Sequence, residues 1–424
     1  MNIRYILSAA VILSFLACGK VNPVDGAAGA VEYENIQHKS SKRGVAFSFG
    51  QLPEYDCPLL GPAVSWSYDW SNNVPSAKVQ EQFDRYGMEY IQMTWNDQYS
   101  PDSIRKYKRE HPEVEYILAF NEPNLTDQAD MTPAEAAAFW PAVKALASEL
   151  GLKIVSPAMN YGTKEGYSDP WKWLDEFFAQ PGVSLDDVDG IAIHCYMGSV
   201  SALKDYINGF KKYGKPIWLT EFCNWDNNNV SESAQMKYMC EAINYLEGDP
   251  DVIRYAWFIP RGNGNRECHN NLLTSGRLPI SLTSLGEVFV NMSTQDKSVY
   301  YPVGQVIPAE HYSSVSGNVH LAPVTDESGL LELYDLLKDY SVEYLVDVPS
   351  DGTYSLEIRY SAFRDGQIEL SSDAGTVSLA LPQTEKEWVT VREDIALTAG
   401  RQALKITGAS GVSPKYNWFR LTGK

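Results

Sequence analysis

The sequence predicts a (β/α)₈ TIM barrel, an α/β fold, followed by a C-terminal all-β jelly-roll sandwich. Between residues 44 and 260, eight short β-rich runs recur, and most lack polar alternation, as strands buried on both faces do. Amphipathic segments separate several of these runs, which is the repeat that a barrel of about 250 residues requires. Near Tyr300 the pattern changes to short alternating strands with turn signals, which is typical of a β-sandwich.

The predicted barrel elements follow one another in regular order. The second long helix has a clear start, because Thr132 supplies an N-cap, Pro133 the first helical position and Glu135 a capping box. The expected strands are Gly44–Phe49, Val64–Trp70, Glu89–Trp95, Tyr116–Glu122, Lys153–Asn160, Gly190–Tyr196, Pro216–Phe222 and Arg254–Pro260. The expected helices are Ser103–His111, Pro133–Leu150, Trp171–Phe178, Ser201–Tyr213 and Ser233–Glu247. The barrel is therefore expected over residues 43–296 and the sandwich over residues 299–424.

The N-terminus has the pattern of an export signal. Arg4 precedes an apolar run that ends at Ala17 and is too short to span a bilayer. The run closes with Phe15-Leu-Ala-Cys18, which looks like a bacterial lipobox with Cys18 as the lipidated residue. We expect a lipoprotein signal peptide over residues 1–17 and a polar tether over residues 18–42. The protein would then be exported and membrane-anchored at the outer membrane or cell surface, or simply secreted if the lipobox is not used.

Composition narrows the classes of partner. The net charge of −19 argues against nucleic acid, because nothing would neutralise the phosphates. The 11 Trp and 26 Tyr suit stacking on sugar rings, although any single ring is more often part of a core. Five cysteines follow Cys18, so at least one thiol is unpaired, and Cys223 with Cys268 is one candidate loop disulfide. Their spacing forms no Cys/His cluster, and neither a metal nor a cofactor is indicated in the barrel.

Two glutamates close buried strands and carry the functional hypothesis. Glu122 ends the run from Tyr116, and Glu221 ends the run from Pro216. The carboxyl ends of parallel barrel strands meet at one face, so the two carboxylates should lie together. A pair of carboxylates is what glycoside hydrolysis requires, one protonated and one ionised. We expect apolar walls to raise the pKa of Glu122, the acid/base, and Glu221 to be the nucleophile.

Other side chains at the strand ends complete the expected site. Asn121 is placed to donate its amide to a sugar 2-OH, and Tyr196 to hydrogen-bond the nucleophile. His194 shares a face with Tyr196, with a satisfied core histidine as the alternative. The remaining substrate-binding candidates, several of which are equally compatible with core packing, are Trp66, Tyr68, Trp70, Trp95 and Trp257.

With these residues in place, the chain resembles glycoside hydrolase family 128, the retaining β-1,3-glucanases of the 4/7 barrel clan. The resemblance covers about 250 residues and assigns the acid/base to Glu122 and the nucleophile to Glu221. The motifs that carry it are Lys42-Arg-Gly44, Trp66-Ser-Tyr-Asp-Trp70, Trp95, Phe120-Asn-Glu-Pro123, Ser156-Pro-Ala158, His194-Cys-Tyr196, Thr220-Glu-Phe222 and Tyr255-Ala-Trp-Phe258.

The tail resembles a family 6 carbohydrate-binding module, through Pro308-Ala-Glu-His-Tyr312 and Asn417-Trp-Phe419 among other motifs. The resemblance implies a sugar sandwiched between a Tyr and a Trp, with Tyr360, Trp388 and Asn417 as candidates. It also implies a possible structural calcium near Asn417. The alternative is a domain that only packs.

The sequence thus predicts a retaining hydrolase of laminarin-like β-1,3-glucan. Two alternatives stay open, a clan-related glycosidase of another β-linkage and a catalytically silent surface glycan-binding lipoprotein. The chain does not indicate endo or exo action, preferred chain length or oligomeric state.

Overall fold

Nine short parallel strands build the first domain. The computed structural model describes residues 35–225, 229–262 and 268–424, so Cys18, the predicted signal peptide and most of the tether lie outside the described residues. The strands are β1 (Arg43–Ala46), β2 (Trp66–Tyr68), β3 (Glu89–Tyr90), β4 (Gln92–Met93), β5 (Tyr116–Leu118), β6 (Lys153–Val155), β7 (Ile191–Cys195), β8 (Ile217–Phe222) and β9 (Val252–Trp257).

These strands form one closed barrel of eight positions. One sheet has the order β3-β2-β1-β9-β8-β7 and the other the order β4-β5-β6. The strands β3 and β4 are one barrel strand, interrupted only at Ile91. Parallel bridges from Val155 to Gly190 and from Met159 to Ile193 join β6 to β7. The predicted (β/α)₈ barrel is confirmed.

Eight helices cover the barrel in the described part of the chain. The helix predicted over residues 133–150 is present with the same bounds, and its capping box between Thr132 and Glu135 is formed. Three helices were not predicted, α1, α2 and α8, although Ser76 and Gly87 give α2 a normal N-cap and a left-handed C-cap. The helices are α1 (Pro53–Leu60), α2 (Ala77–Tyr86), α3 (Pro101–Glu110), α4 (Pro133–Leu150), α5 (Pro170–Phe178), α6 (Val200–Phe210), α7 (Glu232–Gly248) and α8 (Ser284–Asn291).

The second domain is an all-β sandwich, as predicted. Its sheets have the orders β10-β15-β20-β17-β18, with β12 on β15, and β13-β14-β21-β16-β19, with β11 on β21. All pairs are antiparallel except β10 with β15. The strands are β10 (Tyr301–Pro302), β11 (Val306–Pro308), β12 (Ser314–Ser316), β13 (His320–Pro323), β14 (Leu331–Tyr334), β15 (Ser341–Val348), β16 (Gly352–Ser361), β17 (Gly366–Ser372), β18 (Gly375–Leu381), β19 (Val389–Leu397), β20 (Gly400–Gly408) and β21 (Lys415–Gly423).

The two domains share an interior. Strand β13 packs on α7 and α8, and one cluster of buried apolar side chains runs from the barrel into the sandwich. The Tyr312 hydroxyl donates to Asn244 Oδ1 at 2.7 Å across this boundary. His320 of the sandwich lies between Glu241 of α7, at 2.9 Å, and Asp335, at 2.8 Å. The boundary is therefore sealed by apolar contact and by a buried polar bridge.

Two expectations about the ends and the thiols are corrected. The predicted tether does not extend to Lys42, because the Lys42 ammonium donates to three carbonyls at the end of α7 and Gln37 donates to the His311 carbonyl. No disulfide joins Cys223 to Cys268, and both are buried. The Cys223 sulfur instead lies 3.7 Å from the Asn270 amide nitrogen. No helix in the described ranges is long and apolar enough to cross a membrane.

Candidate active site

Glu122 lies just beyond β5 at the carboxyl end of the barrel. Its backbone has a φ of +44°, a left-handed conformation that is rare for a residue with a side chain. Asn121 continues the strand direction by pairing with Ala158, so the reversal occurs at Glu122 itself, before Pro123. The carboxylate is almost fully buried and accepts a hydrogen bond from Asn160 Nδ2 at 3.0 Å. Strain of this kind is common where a side chain is held for chemistry.

Glu221 lies on β8 under a set of convergent donors. Its Oε1 accepts hydrogen bonds from the Tyr68 hydroxyl at 2.8 Å and from Trp70 Nε1 at 2.7 Å. Its Oε2 accepts a hydrogen bond from the Tyr196 hydroxyl. Tyr68 and Trp70 come from the end of β2 and Tyr196 from the end of β7, so the ends of two other strands orient the carboxylate on β8. Tyr196 therefore lies where it was predicted.

His194 connects the two carboxylates. Its Nδ1 lies 2.8 Å from Glu122 Oε1 and 3.4 Å from Glu221 Oε2, and its ring is completely buried. One ligand atom from each of the three residues lies within 4.8 Å of the others. Among the described residues they form the one acidic and histidine group close enough to hold a metal ion. Glu221 already accepts three hydrogen bonds, which favours a positioned carboxylate over a metal ligand.

The three groups set one another's protonation. Burial raises the pKa of Glu122, but the charge and hydrogen bond of His194 outweigh it, and the net pKa is below its usual value. Burial, with the charge of Glu122, raises the pKa of Glu221 against the effects of His194, Tyr196 and Trp70. Burial lowers the pKa of His194, and the two carboxylates more than reverse this.

The expectation that apolar walls raise the pKa of Glu122 is thus wrong for the site without substrate. The physical reason is the imidazole, which lies nearer to Glu122 than to Glu221. Carboxylates this close titrate as a pair, because the ionised form of one raises the pKa of the other. Glu221 accepts hydrogen bonds from three donors other than His194, and Glu122 from one, so these donors oppose the rise in the pKa of Glu221 without reversing it.

Two of the predicted stacking platforms belong to the core. Trp66 is fully buried below Tyr68, with the rings stacked 6.1 Å apart and its Nε1 bound to the Lys42 carbonyl. Trp257 is fully buried too, and its Nε1 donates to the Asn270 carbonyl at 2.8 Å. Neither offers a ring face to a ligand. Sequence position alone places each near a strand end but does not give its depth in the barrel.

Of the remaining aromatic candidates, Trp70, Trp95 and Tyr196 stay partly open, whereas Tyr68 is fully buried. Trp70 and Trp95 are half-buried, and Trp70 packs edge-on against Phe258 with ring centroids 6.1 Å apart. Phe258 also contacts Tyr196 and Trp225, so a wall of half-buried rings lines one side of Glu221. Trp225 was not predicted from the sequence, because this residue lies in the loop after β8, where no hydrophobic periodicity indicates its position.

The amides differ from the expected arrangement. Asn121 Nδ2 donates to Gln128 Oε1 at 3.1 Å, and its buried Oδ1 has no hydrogen-bond partner among the described residues. The amide that was predicted to meet a sugar hydroxyl is therefore already engaged by Gln128. Asn160, which holds Glu122, closes the predicted strand from Lys153 and so was expected at the strand ends, but no role was predicted for it.

The predicted sugar sandwich of the tail is not formed as expected. Tyr360 is buried, and its hydroxyl donates to the Pro382 carbonyl at 3.0 Å. Asn417 is fully buried, and its amide donates to Asp326 and to the Ser328 carbonyl. Trp388 alone of the three is partly open, with its Nε1 3.3 Å from Thr325 Oγ1.

Around Asn417, where the resemblance implies a structural calcium, the structure places both an acidic and a basic side chain. Arg359 makes a bidentate ion pair with Asp326 at 2.8 Å, so a cation already occupies the acidic group beside Asn417. Glu310 is a fully buried carboxylate of the sandwich, and burial raises its pKa to about 8. It belongs to no group of three metal-ligating side chains among the described residues.

Comparison with known proteins agrees with this geometry. The family model of the glycosyl hydrolase catalytic core matches residues 44–289. A GH128 (subgroup II) endo-β-1,3-glucanase from Pseudomonas viridiflava is 36% identical, with a TM-score of 0.54, over 60% of this chain and 98% of that one. The chain belongs to glycoside hydrolase family 128. A second subgroup II enzyme, from Sorangium cellulosum, is 34% identical with a TM-score of 0.51, over 59% of this chain and 98% of that one.

A curated relative is longer than the matched region. Alkali-sensitive linkage protein 1 of Schizosaccharomyces pombe is 30% identical over 266 residues, which is 59% of this chain and 45% of that protein. This chain therefore spans less than half of that relative. The family 128 matches cover the barrel, which makes the protein a glycoside hydrolase.

Proposed function

We propose that the protein hydrolyses β-1,3-glucan through a double displacement that retains the anomeric configuration. One observation carries the mechanism, the convergence of Glu122 and Glu221 with a carboxylate oxygen of each within 4.8 Å of the other. Retaining enzymes hold their carboxyl groups about 5–5.5 Å apart, whereas inverting enzymes leave about 6.5–9.5 Å for a water molecule. The substrate follows from the family 128 relatives, which are named as β-1,3-glucanases.

The residues divide the chemistry between them. In the first step Glu221 forms a bond to the anomeric carbon while the bond to the leaving oxygen breaks and Glu122 gives that oxygen its proton. In the second step Glu122 takes a proton from water, whose oxygen displaces Glu221. The hydrogen bonds from Tyr68, Trp70 and Tyr196 hold the Glu221 carboxylate in position for attack. His194 lies beside both glutamates and lowers the pKa of each.

Stereochemistry tests the roles of the two glutamates. Glu122→Gln and Glu221→Gln should each keep the fold and lose nearly all hydrolysis of laminarin. With azide, Glu221→Ala should give the inverted glycosyl azide, and Glu122→Ala the retained one. The same product from both variants would overturn the assignment, and a first-formed anomer of inverted configuration in wild-type NMR spectra would overturn retention.

The two alternatives predict other outcomes. A clan-related specificity would give turnover on another β-linked glucan and none on laminarin. A silent glycan-binding protein would bind without turnover, but a binder has no need for two carboxylates with positive φ strain at one of them. Product profiles on a panel of β-linked glucans separate all three.

The sandwich is proposed to bind glucan only through Trp388 and its neighbours. Ring stacking supplies much of the affinity for sugars, and Trp388 is the partly open ring among the three predicted ones. In the inactive Glu221→Gln protein, Trp388→Ala should weaken retention on insoluble β-1,3-glucan. Unchanged retention would favour a domain that only packs.

The cellular location is proposed as a lipid-anchored envelope protein, on the basis of Cys18 and the apolar run before it. Cys18→Ala should move the protein from the membrane fraction to the soluble one without a change in turnover. A native N-terminus mapped elsewhere by mass spectrometry would favour simple secretion.

A further inference from the structure

Tyr161 is a large aromatic side chain left open beside the catalytic acid. Its side chain is 51% exposed, whereas most rings of the barrel are covered. It directly follows Asn160, the residue that donates a hydrogen bond to Glu122 Oε1. The Asn160 side chain is held from both ends, because its Oδ1 accepts a hydrogen bond from the Tyr161 backbone nitrogen at 2.8 Å. The Asn160 side chain thus links the backbone of Tyr161 to the carboxylate of Glu122.

The loop that carries Tyr161 is fixed to the loop that carries Glu122. Asn124 Nδ2 donates to the Asn160 carbonyl at 2.7 Å, and the Asn124 carbonyl accepts from the backbone of Thr163 at 3.1 Å. Gly162 lies so close that a Cβ there would be 2.5 Å from the Asn124 carbonyl oxygen. The position of Tyr161 relative to Glu122 is therefore set by backbone contacts rather than by a free loop.

The ring of Tyr161 has a rigid support. It packs on Tyr206 with centroids 5.4 Å apart and against the edge of Trp171 at 6.0 Å. Tyr206 is itself fixed, because its hydroxyl donates to the Met159 carbonyl at 3.0 Å. A half-exposed ring on a rigid support has the properties of a sugar platform, since it loses little conformational entropy when a pyranose face covers it.

We propose that Tyr161 stacks on the glucosyl unit on the leaving-group side of the scissile bond. The proposal rests on the proposed function, because only the acid role of Glu122 identifies its side of the site as the leaving-group side. The bound substrate would pass from Glu221 across Glu122 toward Asn160 and Tyr161. Tyr161 would then be a specificity residue for oligosaccharide leaving groups, with no part in the proton transfers.

Two substrates that share a non-reducing portion test this. In laminarihexaose the leaving group is a sugar, whereas in a dinitrophenyl β-laminaribioside it is a phenol that has no glucosyl ring to stack. Tyr161→Ala should lower kcat/KM for the hexaose about ten-fold, with most of the change in KM, and leave the dinitrophenyl substrate unaffected. Tyr161→Phe should keep wild-type values on both, because the ring remains.

Phe139→Ala is the matched control, since Phe139 is 40% exposed on α4 and the change should affect neither substrate. Thermal melting checks that each variant folds. An equal loss on both substrates, or no loss on either, would overturn the proposal and leave Tyr161 as a cover for Trp171 and Tyr206. A wild-type enzyme inactive on both β-1,3-linked substrates would instead reject the proposed function.

Discussion

Nδ1 of His194 lies 2.8 Å from Oε1 of Glu122, and both side chains are buried. The imidazole is close enough to transmit its charge to the acid, and it also lies 3.4 Å from Glu221. Its influence on the pKa of Glu122 reverses what burial alone would do. We therefore expect the histidine to influence the pH range in which the pair works, and this gives the first prediction.

Replacing His194 with Asn should move the pH profile of kcat/KM upward. A protonated imidazole lowers the pKa of both glutamates, so its removal raises both, and each limb of the profile shifts to higher pH. We also expect kcat to fall by about 10²-fold, as for other preorganised electrostatic groups. His38→Asn, at an exposed histidine, is the control, and an unshifted profile would contradict the prediction.

Tyr68→Phe should shift the acidic limb of the pH profile of kcat/KM to higher pH and should reduce kcat. The Tyr68 hydroxyl donates to Glu221 Oε1, and its loss removes a hydrogen bond that favours the ionised carboxylate. Tyr90→Phe is a matched control, because the Tyr90 hydroxyl is also buried but donates to Asp69. The control should lose stability in thermal melts without a shift of the limb. The same shift in both variants would reject the assignment.

The bridge at His320 should make the domain boundary sensitive to pH. Burial lowers the pKa of His320, but Asp335 and Glu241 raise it above its ordinary 6.5, with Lys237 near Asp335 as an opposing charge. A raised folded-state pKa contributes stability that is complete below the unfolded pKa and is lost as the pH rises through the folded one. His320→Gln should therefore lower Tm more at pH 5.5 than at pH 9. Equal losses at both would contradict it.

Glu310 should destabilise the sandwich at alkaline pH. Its pKa is about 8 when folded against an ordinary 4.5, so folding favours the protonated form, and stability falls as the pH rises from about 4.5 to 8. Glu310→Gln should flatten this dependence in Tm measured with a chelator present. The same pH dependence of Tm in the wild type and the variant would contradict the prediction.

The ends of the predicted strands indicated that Glu122 and Glu221 lie together, but not how deeply each aromatic ring is buried. Glu122 and Glu221 were predictable because parallel strands end at one face, whatever the loops do. Trp66 was misplaced because it lies below Tyr68 on the same face of β2, and only the packing shows that Tyr68 reaches Glu221 while Trp66 does not. Tyr360 was misplaced because its hydroxyl partner, Pro382, lies 22 residues away on another connection.

Because the barrel and the sandwich share one apolar cluster, we expect the two domains to unfold together. The two related glucanases match only about three-fifths of this chain, yet almost all of their own length, so the barrel of this family can exist alone. Here, cutting the chain near residue 298 would uncover the sides of α7 and α8 that β13 now covers. The sandwich is therefore a structural part of the enzyme, and a truncated barrel would need new polar residues on those two helices to stay soluble.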